Sequence, residues 1–324
     1  MTVSRRLRLI ALLAGVLTVL LSTTVQASGT LTRVLTTSAP NLPESIAIDH
    51  KGNFYLSFPF AGTVVKVHQG SLSTIAMFPG MNPLGVRLDD GGNVFVAVPG
   101  SGIWEVPANG GAQRQVAAGP GLWNGLAFDR GGNLFVSDSH NGAIWRLDED
   151  GAFTLWSASA LLQGTTGAGP CGLVHPAVPS FGPLGANGIE FNKPGDLLVN
   201  NTDLGTVVRI PVAEDGSAGA ASILAGPSCD LWGADGIAVD IQDNVYVAAN
   251  SKGQIDRVNR HGAIQVLATG DPLNFPSDIA FGTRSGDRKQ IYISNFAAFA
   301  TSTGAPGVLK MDVGSRGRPL GESD

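Results

Sequence analysis

The sequence predicts an all-β protein, a six-bladed β-propeller of four-stranded antiparallel blades in which the N-terminal strand closes the last blade. Three observations carry this. One short frame recurs six times, as Pro43–Asp49, Pro83–Asp89, Trp123–Asp129, Gly185–Phe191, Ala234–Asp240 and Pro276–Gly282, each reading anchor residue, small residue, apolar, variable, apolar, turn. Short apolar runs bounded by Gly, Asn and Asp follow each copy at a period of about 45 residues, the spacing of propeller blades. The sixth unit stops one strand short, while Leu31–Thr36 alternates apolar and polar without a hairpin partner of its own, so each supplies what the other lacks.

Composition agrees. The 44 glycines and the low charged fraction of 15% suit many turns and short strands. A 43% hydrophobic chain of 324 residues can fill one large core. A net charge of -5 offers no basic field for nucleic acid. Residues 1–27 stand apart. Arg5, Arg6 and Arg8 precede the apolar run Leu9–Leu21, and Val25-Gln26-Ala27 is a small-x-small cleavage pattern. The run is short for a membrane span. The expectation is a cleaved signal peptide, one propeller domain over 28–324, and a secreted or periplasmic protein with no membrane association afterwards. Losing three arginines and no acid takes the net charge from -5 to -8.

The first unit places strands at Ser45–Asp49, Asn53–Ser57, Thr63–His68 and Ser73–Phe78. The second has Gly85–Leu88, Val94–Val98, Gly102–Val106 and Gln113–Ala117; the third continues from its frame to Leu134–Ser137, Ala143–Leu147 and Phe153–Trp156. The turns Asp89-Asp90-Gly91-Gly92-Asn93 and Asp129-Arg130-Gly131-Gly132-Asn133 supply the positive-φ positions of tight hairpins and carry no chemistry. The period then stretches into a long loop, Ala158–Leu184, rich in Gly, Pro and Ala and holding Cys171 and His175. The fourth unit spans Gly188 to about Leu224 and the fifth Gly236 to about Leu267. The sixth has Asp278–Phe281, Gln290–Asn295 and Val308–Val313, with a frayed tail beyond. Cys171 and Cys229 precede the anchor strands of successive units, on one face of neighbouring blades; outside the cytoplasm that pair predicts a disulfide.

The first strand of a blade lines the axial channel, so the anchors Glu44, Leu84, Asn124, Asn187, Asp235 and Ser277 converge at one end. Residues just past the second strands, Ser137, Asp138, His140, Asn200, Asn201, Asp203, Asn250 and Asn295, form the rim. Two acids and two amides crowded together are costly without a counter-charge, and a divalent cation removes the cost. Glu44, Asn124, Asn187 and Asp235 offer hard oxygen and no His or Cys, which disfavours zinc and copper; irregular oxygen geometry suits calcium better than magnesium. Calcium, or another divalent metal, is the expected cofactor. Ser45 and Ser277 lack a Gly-x-Ser-x-Gly setting, which argues against a serine nucleophile.

The frame and the ordered series Glu44, Asn124, Asn187 and Asp235, in blades one, three, four and five, resemble the gluconolactonase/regucalcin (senescence marker protein) family of six-bladed propellers. Diisopropyl fluorophosphatase and the paraoxonases are similar. The resemblance runs from about Leu31 to Val313. It implies a divalent metal, commonly calcium, at these four positions, with Asn124 a substrate contact in some members, and a hydrolase of lactones or related esters. The metal would polarise the scissile carbonyl and hold the developing oxyanion. Asp235 or Glu44 would orient or deprotonate water, and the resemblance favours Asp235. Asn124, His140 on the rim, His175 in the long loop and Ser277 are the expected contacts to a small-molecule substrate, with the histidines placed to assist proton transfer. The apolar Ala158–Leu184 loop suggests a less polar substrate than a sugar acid. Two other classes fit the same blades. One is a non-catalytic exported propeller that binds a ligand or protein on its anchor face with a structural metal. The other is a strictosidine-synthase-like propeller doing lyase or condensation chemistry with a lone acid in its channel.

Overall fold

The computed structural model describes residues 29–318, and the expected signal peptide over 1–27 lies outside them. Among the described residues no helix is long and apolar enough to cross a membrane. Six four-stranded antiparallel sheets form the ring. Blades one to five use their strands in chain order. The sixth runs Pro276–Phe281, Gln290–Asn295, Gly307–Asp312 and then Thr32–Thr36, so the N-terminal strand closes it, with Thr36 opposite Gly307 and Thr32 opposite Lys310.

Burial explains why these segments are strands. Inner strands such as Ala234–Val239 and second strands such as Phe54–Phe58 are buried along their whole length, because each blade has a neighbour on both faces. Six apolar clusters hold the ring, and each draws on two adjacent blades: Tyr55 with Val96, Val136 with Ile103, Phe135 with Val199, Val207 with Val247, Tyr246 with Ile293, and Leu56 with Tyr292. The hydrophobic effect therefore acts between blades, where apolar area leaves water.

The small residue after each anchor has a steric reason. A Cβ on Gly85 would stand 2.0 Å from the Asn124 carbonyl oxygen, one on Gly125 2.4 Å from that of Asn187, and one on Gly188 2.4 Å from that of Asp235. Neighbouring inner strands touch at this level. Gly188→Ala is expected to cost about 1–3 kcal/mol by overpacking, seen as a lower urea midpoint at unchanged slope. Blades one and six break the rule with Ser45 and Asp278 in the glycine slot.

The long loop is ordered. It contains short helical turns at Ala160–Leu162 and Val178–Phe181. Asn201 donates to the Leu161 and Gln163 carbonyls at 3.0 and 2.9 Å, and Asp203 accepts from the Thr165 and Leu184 amides at 2.9 and 2.7 Å. A disulfide joins Cys171 to Cys229 across 58 residues of sequence. In the chain-entropy account a loop of that length stabilises by about 4 kcal/mol. Cys171→Ser should therefore lose up to about 4 kcal/mol in urea unfolding without reductant.

The tail differs from the expected fraying after Val313. Ile241 donates its amide to the Arg316 carbonyl at 3.0 Å, the Arg318 amide donates to Val239 at 3.2 Å, and the Arg318 guanidinium donates to the Phe191 carbonyl. Gly317 sits against the Phe281 ring, where no Cβ would fit. These backbone partners hold residues 316–318 across the far ends of three inner strands, opposite the anchors.

Candidate metal and active site

The anchors stand where the inner strands bulge. Opposite one residue of the second strand lie two residues of the first: register slips between Trp123 and Leu126, Ala186 and Ile189, and Ala234 and Ile237. A bulge re-aims a side chain out of the pleat, here at Asn124, Asn187 and Asp235. In blades three and four the residue facing the bulge ties it to the next blade. Ser137 Oγ donates to the Asn187 carbonyl at 2.6 Å, and Asn200 Nδ2 donates to the Asp235 carbonyl at 2.9 Å.

A second set of fasteners lies 15 residues after each of these anchors. Asn124 Nδ2 reaches Ser139 Oγ at 3.5 Å, Asn187 Nδ2 donates to Thr202 Oγ1 at 2.9 Å, and Asp235 Oδ2 accepts from Asn250 Nδ2 at 2.9 Å. The two hydroxyls pass the chain on, donating to the Ala186 and Ala234 carbonyls of the following blade at 2.7 and 2.9 Å. With their amide nitrogens engaged, Asn124 and Asn187 are left with their carbonyl oxygens to offer.

Glu44, Asn124, Asn187, Asp235 and Ser277 line one axial cavity of about 40 Å³. That is room for a few water-sized occupants, each needing about 10–15 Å³. Leu84, the sixth anchor, is not part of the lining. Sequence reasoning missed Asp278, which lines the same cavity from the glycine slot of blade six. Its Oδ2 accepts from Ser45 Oγ at 2.5 Å and the Ile46 amide at 3.0 Å, and its Oδ1 from the Ile279 amide at 2.8 Å. The signal was available: blades one and six carry polar residues where the other four have glycine. Arg87 also reaches the cavity and is paired with Glu190 at 2.6 Å.

Three acids on one axis shape its electrostatics. Burial, then the charges of Asp235 and Asp278, holds Glu44 well above the usual carboxylate range. Burial pushes Asp235 up to about 8, with the Asp278 charge adding and hydrogen bonds from Asn250 and Asn187 opposing. Burial takes Asp278 to about 6 against the bonds from Ser45, Ile46 and Ile279 and the charge of Arg87. Glu44 Oε2 is buried with no hydrogen-bond partner among the described residues.

These observations fit a divalent cation. An orphaned carboxylate oxygen, a second carboxylate whose charge disfavours the first, and two uncommitted amide oxygens form a hard-oxygen donor set. Both Asp278 oxygens are already engaged, so it contributes charge rather than a free oxygen. Among the described residues no group of three or more His, Cys, Asp or Glu side chains is arranged to hold a metal; the set that fits needs the two asparagines.

The other expected contacts are placed differently. His140 is exposed, with Nε2 against the Phe181 carbonyl, outside the cavity lining. Ser277 is buried and donates its hydroxyl to the Glu44 carbonyl at 2.5 Å, fastening blade six to blade one. His175 is buried 2% exposed, with Nε2 3.0 Å from Asn250 Oδ1, one residue removed from Asp235. The expected rim is largely consumed by its own loops: Asn201 and Asp203 hold the long loop, and Asn295 donates to the Pro272 and Ala305 carbonyls. Each is fully buried, because the connections fold over the second-strand ends.

Residues 180–296 match the family described as SMP-30/Gluconolactonase/LRE-like region. No curated protein matches the sequence. Among solved structures, the chain is similar to a luciferin-regenerating enzyme at 13% identity and TM-score 0.70, over 91% of this chain and 99% of that one. It is similar to regucalcin, a calcium-binding protein from Agrobacterium tumefaciens strain C58, at 16% identity and TM-score 0.66, over 90% and 97%. A virginiamycin B lyase from Staphylococcus aureus follows at 14% identity and TM-score 0.58, over 88% and 99%. At such identities the likeness concerns the fold, and the functions are diverse. The chain is a six-bladed propeller whose residues 180–296 match the SMP-30/Gluconolactonase/LRE-like region.

Proposed function

We propose that this protein is an exported, divalent-cation-dependent hydrolase of lactones or related esters, with calcium as the cation and Glu44, Asn124, Asn187 and Asp235 as its holders. The observation that carries the reading is the buried Glu44 Oε2, without a hydrogen-bond partner among the described residues, beside the Asp235 charge on an axis lined by two asparagines. A cation bound there supplies Lewis-acid polarisation of the substrate carbonyl. Asp235, steadied by the Asn250 amide on its Oδ2, would serve as the base that orients a water and accepts its proton. Export rests on the leader pattern over 1–27 and on the disulfide, which persists in oxidising compartments.

The substrate class follows from the surroundings. Phe60 stacks on Phe296 at 5.7 Å, Phe296 meets Phe275 at 6.4 Å, and Phe275 meets Phe299 at 5.0 Å and His175 at 6.2 Å. Leu173, Val174 and Phe181 of the long loop are exposed. An apolar surround over an acidic axis favours neutral lactones and aryl or acyl esters over sugar acids, whose carboxylate would meet Glu44, Asp235 and Asp278.

A panel of aliphatic lactones and aryl esters, assayed with calcium and with chelator, tests the reading. Turnover that chelator abolishes and calcium restores supports it. A second reading is a non-catalytic exported propeller that binds a ligand with a structural metal, favoured by the loss of rim polar groups to loop fastening. Calcium-dependent melting without turnover of any ester or lactone would select that one.

A further inference from the structure

We propose that His175, delivered by the disulfide-tethered loop, is a positioning residue for Asp235 and acts by fixing the orientation of the Asn250 amide between them. The inference rests on the cation-site reading above. In blades three and four the fastener 15 residues past the anchor is a hydroxyl, Ser139 or Thr202, which can rotate to donate and accept as needed. In blade five it is an amide, whose two ends are not interchangeable. Asn250 Nδ2 must face the carboxylate, because its carbonyl oxygen there would repel Asp235. Something must hold the amide that way round.

His175 does so. Its Nδ1 accepts from the Ala177 amide at 3.3 Å, which leaves the proton on Nε2, and Nε2–H donates to Asn250 Oδ1 at 3.0 Å. Ser251 Oγ donates to the same oxygen at 2.9 Å. With both donors in place, a flipped amide would set N–H against N–H at His175. The polar chain from His175 to Asp235 is buried throughout, at 2%, 3% and 7% exposure, so water is a poor substitute for a missing donor. Gly233 makes room for it: at φ 79° a Cβ there would stand 2.3 Å from Asn250 Oδ1. Trp232 and Phe275 pack against the imidazole at 6.1 and 6.2 Å between centroids. The loop that carries His175 is tied down four residues earlier by the disulfide from Cys171. The long insertion between blades three and four thus delivers a second donor to the oxygen that blade five's own Ser251 also reaches.

The test uses the mature chain after chelator treatment, with His175→Gln, His175→Leu and Asn250→Ala. Gln keeps an N–H near the position of Nε2 and Leu removes it. Two readouts are taken: calcium affinity by calorimetry, and hydrogen exchange of the Asn250 side-chain amide by NMR without metal. His175→Gln should lie within about threefold of wild type in both. His175→Leu should bind calcium at least tenfold more weakly and exchange the Asn250 amide at least tenfold faster. Adding it to Asn250→Ala should weaken calcium binding no further, since the two act in one chain. If His175→Leu does not fold, His175→Asn, whose N–H falls short of Asn250, takes its place with the same expectation. Unchanged amide exchange and unchanged calcium affinity in the donor-less variant overturn the positioning role. Absent calcium heat in wild type, with the exchange pattern as expected, overturns the cation reading alone and leaves the positioning role standing.

Discussion

If the proposed hydrolase reading holds, Asp235→Ala is expected to lower lactone or ester turnover by about 10²–10⁴-fold, the usual worth of a positioned acid–base group, and to remove calcium binding with it. The same substitution leaves the ion-free protein folded. At pH 8 without metal, Asp235→Asn melts no lower than wild type, because the carboxylate it replaces is buried on an axis shared with Glu44 and Asp278. Lost function with retained or raised melting temperature is the signature of a site arranged for a ligand rather than for stability. Glu44→Gln should behave alike in both respects. A variant that lost activity by unfolding would instead show a lowered melting temperature in chelator.

Calcium should stabilise the protein more as pH rises. The sign follows from the shifts. Asp235 is raised from 3.8 to about 8 and Asp278 to about 6, and Glu44 is raised as well, in each case first by burial. Between about pH 4 and pH 8 the folded, ion-free protein therefore holds protons that the unfolded chain has released, and its stability falls as pH rises through that window. A cation competes with those protons and favours the ionised carboxylates. At pH 5 added calcium should move the melting temperature little. At pH 8, calcium at 100 times its dissociation constant should add about 2.7 kcal/mol. Differential scanning calorimetry at the two pH values, with calcium and with chelator, reads both trends. Equal shifts at both values would place the carboxylates outside the cation site.

Much of the ring was legible in the sequence because its determinants are local. Period-two apolar runs and Asp-x-Gly-Gly-Asn turns report strands and hairpins whatever surrounds them, and the orphan strand at Leu31–Thr36 reveals the closure by subtraction. The convergence of Glu44, Asn124, Asn187 and Asp235 was legible for a related reason: equal positions in repeated units occupy equal positions around an axis. What stayed hidden depends on contacts between distant segments. Asp278 follows an anchor and looks like frame, yet its side chain takes the space that glycine leaves in other blades. The rim residues Asn201, Asp203 and Asn295 look like ligand contacts, but the loops that fold over them use their hydrogen bonds. His175 could be placed only once the path of the long loop was known. Residues 314–318 show no strand pattern, and their hold on the far end of the ring comes from single backbone bonds to Val239 and Ile241.

Calcium titration of the chelator-treated protein by calorimetry at pH 8 tests the proposed four-oxygen cage most directly. The account predicts one calcium per chain, with the heat lost in both Glu44→Gln and Asp235→Asn while their circular dichroism stays that of the wild type. A folded wild-type protein that takes up no calcium, magnesium or manganese, or one whose calcium binding survives both substitutions, would contradict it.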